Sequence, residues 1–406
     1  MAGQRTTSRA ARILPLALLA GVLSIGSTAR AETTSFSGQV MTLPPGSAPL
    51  AKFDISFVDP RLGIYILADR SNAGVDVFSV VGQQFLFRVG GFAGAPDGND
   101  TAGPNGVLTV NHREIWAGDG NNPTDHTLSS VKVIDLLTQK ITDTIVIPNG
   151  KARADEMAFD PEDQVLLVAN DADSPPFITL ISTRPGHKIL RQIFFPEATN
   201  GIEQSQWSPK TGLFYLNLPE VNPKTGDGQV VVIDPERLRI VQRFPTHNCE
   251  AAGMALGPDN QALLGCAGGP STGGTPLPNE SQVIDLRNGH VIAVFPQVGG
   301  SDEVWFNPGD NHYYLAARNN TTGPVLGTID ADEPMFDNNA PTTSTGDHSV
   351  AADPIFNNVF VPLTAGPANH VCPTGCIGIY RHGPLDADDQ GDEHRREIAE
   401  DRDRDR

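Results

Sequence analysis

The stretch ADEMAFDPEDQVLLVAND, Ala154 to Asp171, reads as a strand, a sharp turn at Asp160-Pro161 and a second strand ending in polar residues. Proline fixes its own φ and has no amide donor, and aspartate bonds its side chain to nearby backbone. The pair therefore marks a turn, not a strand interior. The same mark returns at Asp59-Pro60, Ser208-Pro209, Gly257-Pro258, Asn307-Pro308 and Asp353-Pro354. From Asp59 onward the first members lie 101, 48, 49, 50 and 46 residues apart. The interval of 101 holds two periods, and the missing mark falls near Asn111-His112, where the context survives without proline. A fixed period near 50 residues signals a repeat architecture.

Each period holds four strand-like runs. The first reads FDISFVD, GIYILAD, GVDVFSV and QFLFRV; the third reads EMAFD, QVLLVAND, FITLIST and KILRQIFF. The sixth has a weak fourth run near Glu333-Pro334-Met335-Phe336. The seventh reads HSVAAD, NVFVPLT and CIGIYRH and then stops, one strand short. An orphan run, SFSGQVMTL, stands ahead of the first repeat and can supply that strand. Closing a ring in this way removes exposed strand edges. No long stretch has an amphipathic helical pattern, and 41 glycines and 33 prolines suit many short strands and turns. The sequence thus predicts an all-β fold: a seven-bladed β-propeller of four-stranded blades, its ring closed by a strand at 34–43. Six blades is the competing count, and it requires two of the repeats to be merged.

The flanks differ in kind. Arg5, Arg9 and Arg12 precede an apolar run from Ile13 to Ile25 and a small-x-small site at Ala29-Arg30-Ala31. Residues 1–31 are therefore expected to be a secretory signal, and the protein to be periplasmic or extracellular. The propeller is assigned to 32–383. Residues 384–406 are almost free of apolar side chains and are expected to be a disordered charged tail. The formal charge is -19, and about -23 once the four arginines of the signal are removed. This balance argues against nucleic acid and anionic membrane surfaces as partners. No segment is long enough to span a bilayer, and a monomer is the expectation. The four cysteines form two local pairs, Cys249 with Cys266 and Cys372 with Cys376, which export permits to be disulfides.

The repeat, with its aspartate-proline turn followed by YILAD, LLVAND or YYLAAR, resembles the YVTN-type, YncE-like β-propeller proteins of bacteria and, more distantly, the lactonase-type propellers. The resemblance covers about residues 34–382. It departs in blade two, which lacks the proline, and in blade five, which has alanine where other blades carry acid. Proteins of this kind include lactone hydrolases, a metal-dependent lyase and proteins without known catalysis, so the resemblance implies the fold more than the chemistry.

Innermost strands line a propeller's central channel. The residue five before each turn mark is Asp54, Asp155, Glu203, Ala252, Asp302 and His348, with Asn105 taking the place in blade two. One period thus sets six polar groups at one level around one axis. Grouped carboxylates repel one another unless a cation sits among them. Asp54, Asn105, Asp155, Glu203 and Asp302 are oxygen ligands suited to a divalent cation, Ca²⁺ foremost, and no organic cofactor is indicated. The lactonase-type resemblance likewise implies a channel metal held by acidic and asparagine side chains. Glu156, Gln204, Glu250 and Glu303 adjoin the ring, although alternation turns some of them away. The second strands end at the same mouth in Asp69-Arg70, Asp119, Asn170-Asp171 and Arg318, which adds Arg70, Asp119, Asn170 and Arg318 as ligand contacts. Any one of these groups can equally serve to close turns between blades.

Two functional readings stay open. In one, the protein binds a small molecule, a peptide or a divalent metal at the channel mouth. In the other it is a metal-dependent lactonase-like hydrolase or lyase, in which His348 moves the proton beside Asp155 and Glu203. A third, a scaffold for protein partners, would give the acidic tail a role. His126, His187, His247, His312 and His370 fall at irregular spacing and receive no role. No G-x-S-x-G elbow, P-loop or dinucleotide fingerprint is present. The Gly-rich PDGNDTAGPNG and CAGGPSTGGTP are read as flexible loops.

Overall fold

A computed structural model describes residues 32–95, 99, 101–121, 128–222, 226–270 and 276–383. The expected signal at 1–31 and tail at 384–406 lie outside the described residues, as do parts of both Gly-rich loops and His126.

Seven four-stranded antiparallel sheets follow one another along the chain. Blade one is Ser56–Asp59, Ile64–Asp69, Gly74–Ser79 and Gln84–Gly90. Blade two is Val107–Val110, Glu114–Asp119, Ser130–Asp135 and Lys140–Val146. Blade three is Met157–Asp160, Val165–Asn170, Phe177–Ser182 and Ile189–Phe194. Blade four is Ser205–Ser208, Leu213–Leu218, Asp227–Asp234 and Arg239–His247. Blade five is Ala251–Leu256, Gln261–Cys266, Ser281–Asp285 and Val291–Phe295. Blade six is Val304–Asn307, His312–Ala317, Val325–Asp330 and Met335–Pro341. Blade seven is Ala351–Asp353, Asn358–Leu363 and Cys376–Arg381, completed by the N-terminal strand Ser35–Met41. That strand pairs antiparallel with the third, Ser35 opposite Arg381 and Met41 opposite Ile377. Each innermost strand touches the next, and blade seven touches blade one, so the ring is closed and has seven blades.

Burial explains the strand patterns. Second strands are enclosed on both faces, and Ile64–Asp69 and Val165–Asn170 are buried throughout. Outer strands alternate: in Lys140–Val146, Ile141 and Ile145 turn inward while Lys140, Thr142 and Thr144 face solvent. Apolar layers fill the space between blades. Leu167, Ile178 and Leu180 of blade three meet Phe214, Leu216 and Val231 of blade four. Tyr65 and Phe78 of blade one meet Ala351, Phe360 and Ile377 of blade seven. Each large side chain removed from water contributes about 1.5–3 kcal/mol.

The repeated turn has a local cause. Oδ1 of Asp160 accepts the amides of Glu162 (2.8 Å) and Asp163 (3.2 Å), and Oδ1 of Asp59 accepts that of Leu62 (3.0 Å). Blade two lacks proline because its turn is of another kind. Asn111 and His112 both sit at φ 53°, which proline's ring forbids. The loop after Cys266 is less open than expected at its base, where Gly269–Pro270 pairs with Pro276–Leu277. Both expected disulfides are formed. Among the described residues, no helix is long and apolar enough to cross a membrane.

Candidate functional site

The ring level read from the sequence is a structural level. The amides of Asp54, Asn105, Asp155, Glu203 and Asp302 donate to the carbonyls of Ala68, Gly118, Ala169, Asn217 and Ala316, at 2.8 to 3.2 Å. The same bond therefore recurs in blades one, two, three, four and six. It lies just ahead of the innermost strands, in the entering segments, so side-chain alternation has not yet begun. Asp155 and Glu156 consequently both reach the channel, as do Asp302 and Glu303, where strict alternation would have turned one of each pair away.

These residues surround a cavity of about 500 Å³ at the entry mouth, lined by Asp54, Arg70, Arg153, Asp155, Glu156, Glu203, Asp302, Glu303, Arg318 and His348, with Lys52 at the rim. Its three aspartates each have an arginine. Arg70, at the end of the second strand of blade one, binds Asp54 and the Oδ1 of Asn105, and its Nε donates to that oxygen at 3.0 Å. Arg153 stands 2.8 Å from Asp155 and 2.7 Å from Asp171. Arg318 is 3.0 Å from Asp302. Arg153 escaped the sequence reading. It sits two residues before Asp155, on the same side of an extended segment, and that spacing is the signal that could have found it.

Glu156, Glu203 and Glu303 have no such partner: among the described residues, no lysine, arginine or histidine nitrogen lies within 4.0 Å of their carboxylates. All three are pushed well above the ordinary carboxylate range, first by burial and then by neighbouring acids. Glu156 and Glu303 face each other closely enough that one carboxyl can donate to the other when it holds a proton. Asp155 is also raised, because burial and the charges of Asp54 and Asp171 outweigh an arginine that Asp171 shares. Asp54 goes the other way: against burial, Arg70 and His348 hold it well below the usual value.

His348 stacks on Phe53, with ring centroids 4.8 Å apart. Its Nδ1 lies 2.6 Å from the carbonyl of Gly346, and its Nε2 lies 3.4 Å from Asp54 Oδ1. Both ring nitrogens are therefore engaged.

Two expected ligand contacts lie elsewhere. Asp119 pairs with Lys132 at 2.7 Å and caps the amides of Ala93 and Gly120, beside a separate cavity of about 300 Å³. Asn170 donates to Ser129 and to the carbonyl of Arg153 and holds a loop. Asn105 is fully buried behind Arg70 and donates to the carbonyl of Ala154 at 3.1 Å. Blade five, with Ala252 in the ring position, is bridged from blade four: Gln204 accepts the amide of Met254 at 2.6 Å and donates to the carbonyl of Val304 at 3.2 Å.

Beneath this polar mouth the channel turns apolar. A second cavity, about 470 Å³, is walled by Phe57, Met157, Phe159, Trp207 and Trp305, and Glu156 borders both chambers. Outside the channel, His312, Asp337 and His382 form the one cluster among the described residues that gathers three metal-ligating atoms within 4.8 Å. Of the five oxygen ligands expected for Ca²⁺, Asp54, Asn105, Asp155 and Asp302 face arginines and Glu203 does not.

No family model matches the chain, and no curated protein matches it by sequence. Solved structures resemble it in fold. A chain of the mitotic checkpoint complex superposes with a TM-score of 0.61 at 12% identity, over 91% of this chain and 98% of that one. Hydrazine synthase of Kuenenia stuttgartiensis superposes with a TM-score of 0.60 at 16% identity, over 80% of this chain and 96% of that one. At these identities the likeness carries the propeller fold alone.

Proposed function

We propose that this protein is an exported, YncE-like binding propeller that takes a small polar ligand into its entry mouth and holds the ligand's positive charge on Glu156, Glu203 and Glu303. One observation carries the reading: every aspartate of the cavity is matched by an arginine, and these three glutamates are not. Burial first, and then the neighbouring acids, raises their proton affinity, and a cation seated among them would offset the second of these. The cavity, about 500 Å³, is of small-molecule size. A bare Ca²⁺ needs about six to eight oxygens, and Asp54, Asn105, Asp155 and Asp302 are already committed to arginines. An ammonium or amidinium carried by an organic ligand suits the mouth better, with Lys52 and Arg318 at hand for an anionic end. The two disulfides support export, and the repeat motif supports the YncE-like assignment. The hydrolase or lyase alternative would rest on His348, whose Nδ1 meets the Gly346 carbonyl and whose Nε2 faces Asp54 at 3.4 Å.

Calorimetric titration of the purified protein with putrescine, spermidine, arginine and CaCl₂, in two buffers of different ionisation enthalpy, tests this reading. Binding of an organic cation with proton release, weakened at least about tenfold by Glu203→Gln, is expected. No binding by any probe, or binding that ignores Glu156→Gln, Glu203→Gln and Glu303→Gln together, would reject it.

A further inference from the structure

At the seam where the ring closes, three side chains from two blades converge. His312 opens the second strand of blade six, Asp337 lies in the outer strand of that blade, and His382 follows the third strand of blade seven. Their ligand atoms lie within 4.8 Å of one another, and the imidazole centroids are 4.0 Å apart. Around an ion with bonds of about 2.0–2.1 Å, tetrahedral ligands stand about 3.3 Å apart. Small side-chain rotations close that gap.

The hydrogen bonds around the cluster point the same way. Nδ1 of His312 is 2.6 Å from the carbonyl of Asp310, which can only accept, so Nδ1 carries the proton. In the neutral ring the lone pair is then on Nε2, which faces Asp337 Oδ2 at 3.2 Å. That oxygen is enclosed and receives no hydrogen bond. A lone pair facing a carboxylate oxygen repels it, so the contact calls for a positive charge there: a proton on Nε2, as in an imidazolium–carboxylate pair, or a metal ion that takes the proton's place. Nδ1 of His382 lies 3.1 Å from the Thr34 hydroxyl, and in the tautomer that donates to that oxygen its Nε2 is left for a ligand. Outer contacts of this kind orient ligating histidines. Nε2 of His382 also has Glu32 Oε2 at 3.9 Å, on a largely exposed side chain that can swing into a fourth position.

We propose that His312, Asp337 and His382 form a binding site for a divalent transition-metal ion of the Zn²⁺ class, which clamps blade six to blade seven beside the N-terminal strand. Two imidazoles and one carboxylate suit Zn²⁺ and its first-row neighbours rather than Ca²⁺. The site is separate from the channel and stands whether or not the entry mouth binds a cation.

The test titrates chelator-treated protein with CoCl₂, read by its d–d absorption, and with ZnCl₂, read by calorimetry and elemental mass spectrometry. One ion per chain is expected, with a melting temperature raised by a few degrees and reversed by chelator. His312→Ala and His382→Ala should each weaken binding about a hundredfold, while Glu203→Gln in the channel leaves it unchanged. The Co²⁺ spectrum of the unaltered protein keeps the test valid if either variant fails to fold. Absence of a stoichiometric ion in the unaltered protein, or binding that persists in both histidine variants, would overturn the proposal.

Discussion

Thr34 and Asn338, 304 positions apart, hold each other by two hydrogen bonds: the Thr34 amide donates to Asn338 Oδ1, and Asn338 Nδ2 donates to the Thr34 carbonyl, each at 2.8 Å. Thr34 is 2% exposed, and its hydroxyl also accepts from Thr328 of blade six. The closing strand is thus anchored to blade six just before it pairs into blade seven. Asn338→Ala leaves the Thr34 backbone unsatisfied, and a loss of about 1–3 kcal/mol is expected. The urea midpoint measures it, and an unshifted midpoint would show that the anchor carries no stability. Removing residues 32–41 strips the edge of Cys376–Arg381, and light scattering should then report self-association.

Arg70 is the second structural test. Its side chain is 6% exposed and that of Asp54 is 11% exposed, so each charge relies on the other. Arg70→Met leaves Asp54 buried beside His348 alone, and such a loss costs about 3–5 kcal/mol. The pair Arg70→Met with Asp54→Asn should cost less than Arg70→Met by itself, which a double-mutant cycle detects. Asp54 has a depressed proton affinity in the fold, so its contribution is present above its unfolded value and fades as pH falls toward its folded one. Arg70→Met should therefore lower stability at neutral pH and matter less in strong acid. A loss that stays constant across that range would contradict the pairing.

How far the sequence speaks follows from how local each interaction is. The Asp160 turn is made within four residues, so its repetition announced seven blades and their phase. The ring position followed, because the period puts equivalent residues on equivalent backbone bonds. The Arg153–Asp155 spacing offered a local signal, but the pairings across strands were not legible. Arg153 meets Asp171 as well as Asp155 only because two strands fold back on each other. Asp119 and Asn170 end second strands as Arg70 and Arg318 flank them, yet loop amides and hydroxyls claim their side chains. His312, Asp337 and His382 are assembled by ring closure, which no short spacing encodes.

The two disulfides should differ in worth. Cys249–Cys266 spans 17 positions and Cys372–Cys376 spans 4. If the crosslinks act by restricting the unfolded chain, the first contributes about 3 kcal/mol and the second about 2. Denaturant midpoints of the paired alanine variants measure this directly. A larger loss for the short loop would show that native contacts of Cys372 and Cys376, not chain entropy, set the value.

The channel glutamates give stability an unusual pH dependence. Glu156, Glu203 and Glu303 bind protons more tightly in the fold than in the unfolded chain, where a glutamate titrates near about 4.3. Above that value the folded state holds more protons than the unfolded state, so stability falls as pH rises until the folded groups ionise. Glutamine keeps the shape and removes the charge. Glu203→Gln should therefore leave the melting temperature near that of the unaltered protein at pH about 4.5 and raise it at pH about 8. A cation seated in the mouth acts in the same direction, so a bound ligand should flatten the pH profile of the unaltered protein more than that of the glutamine variant, which keeps Glu156 and Glu303. Scanning fluorimetry across that range, with and without the ligand found by titration, decides it. A variant less stable than the unaltered protein at the alkaline end would mean that Glu203 is ionised and satisfied in the fold, and that the mouth is not short of a cation.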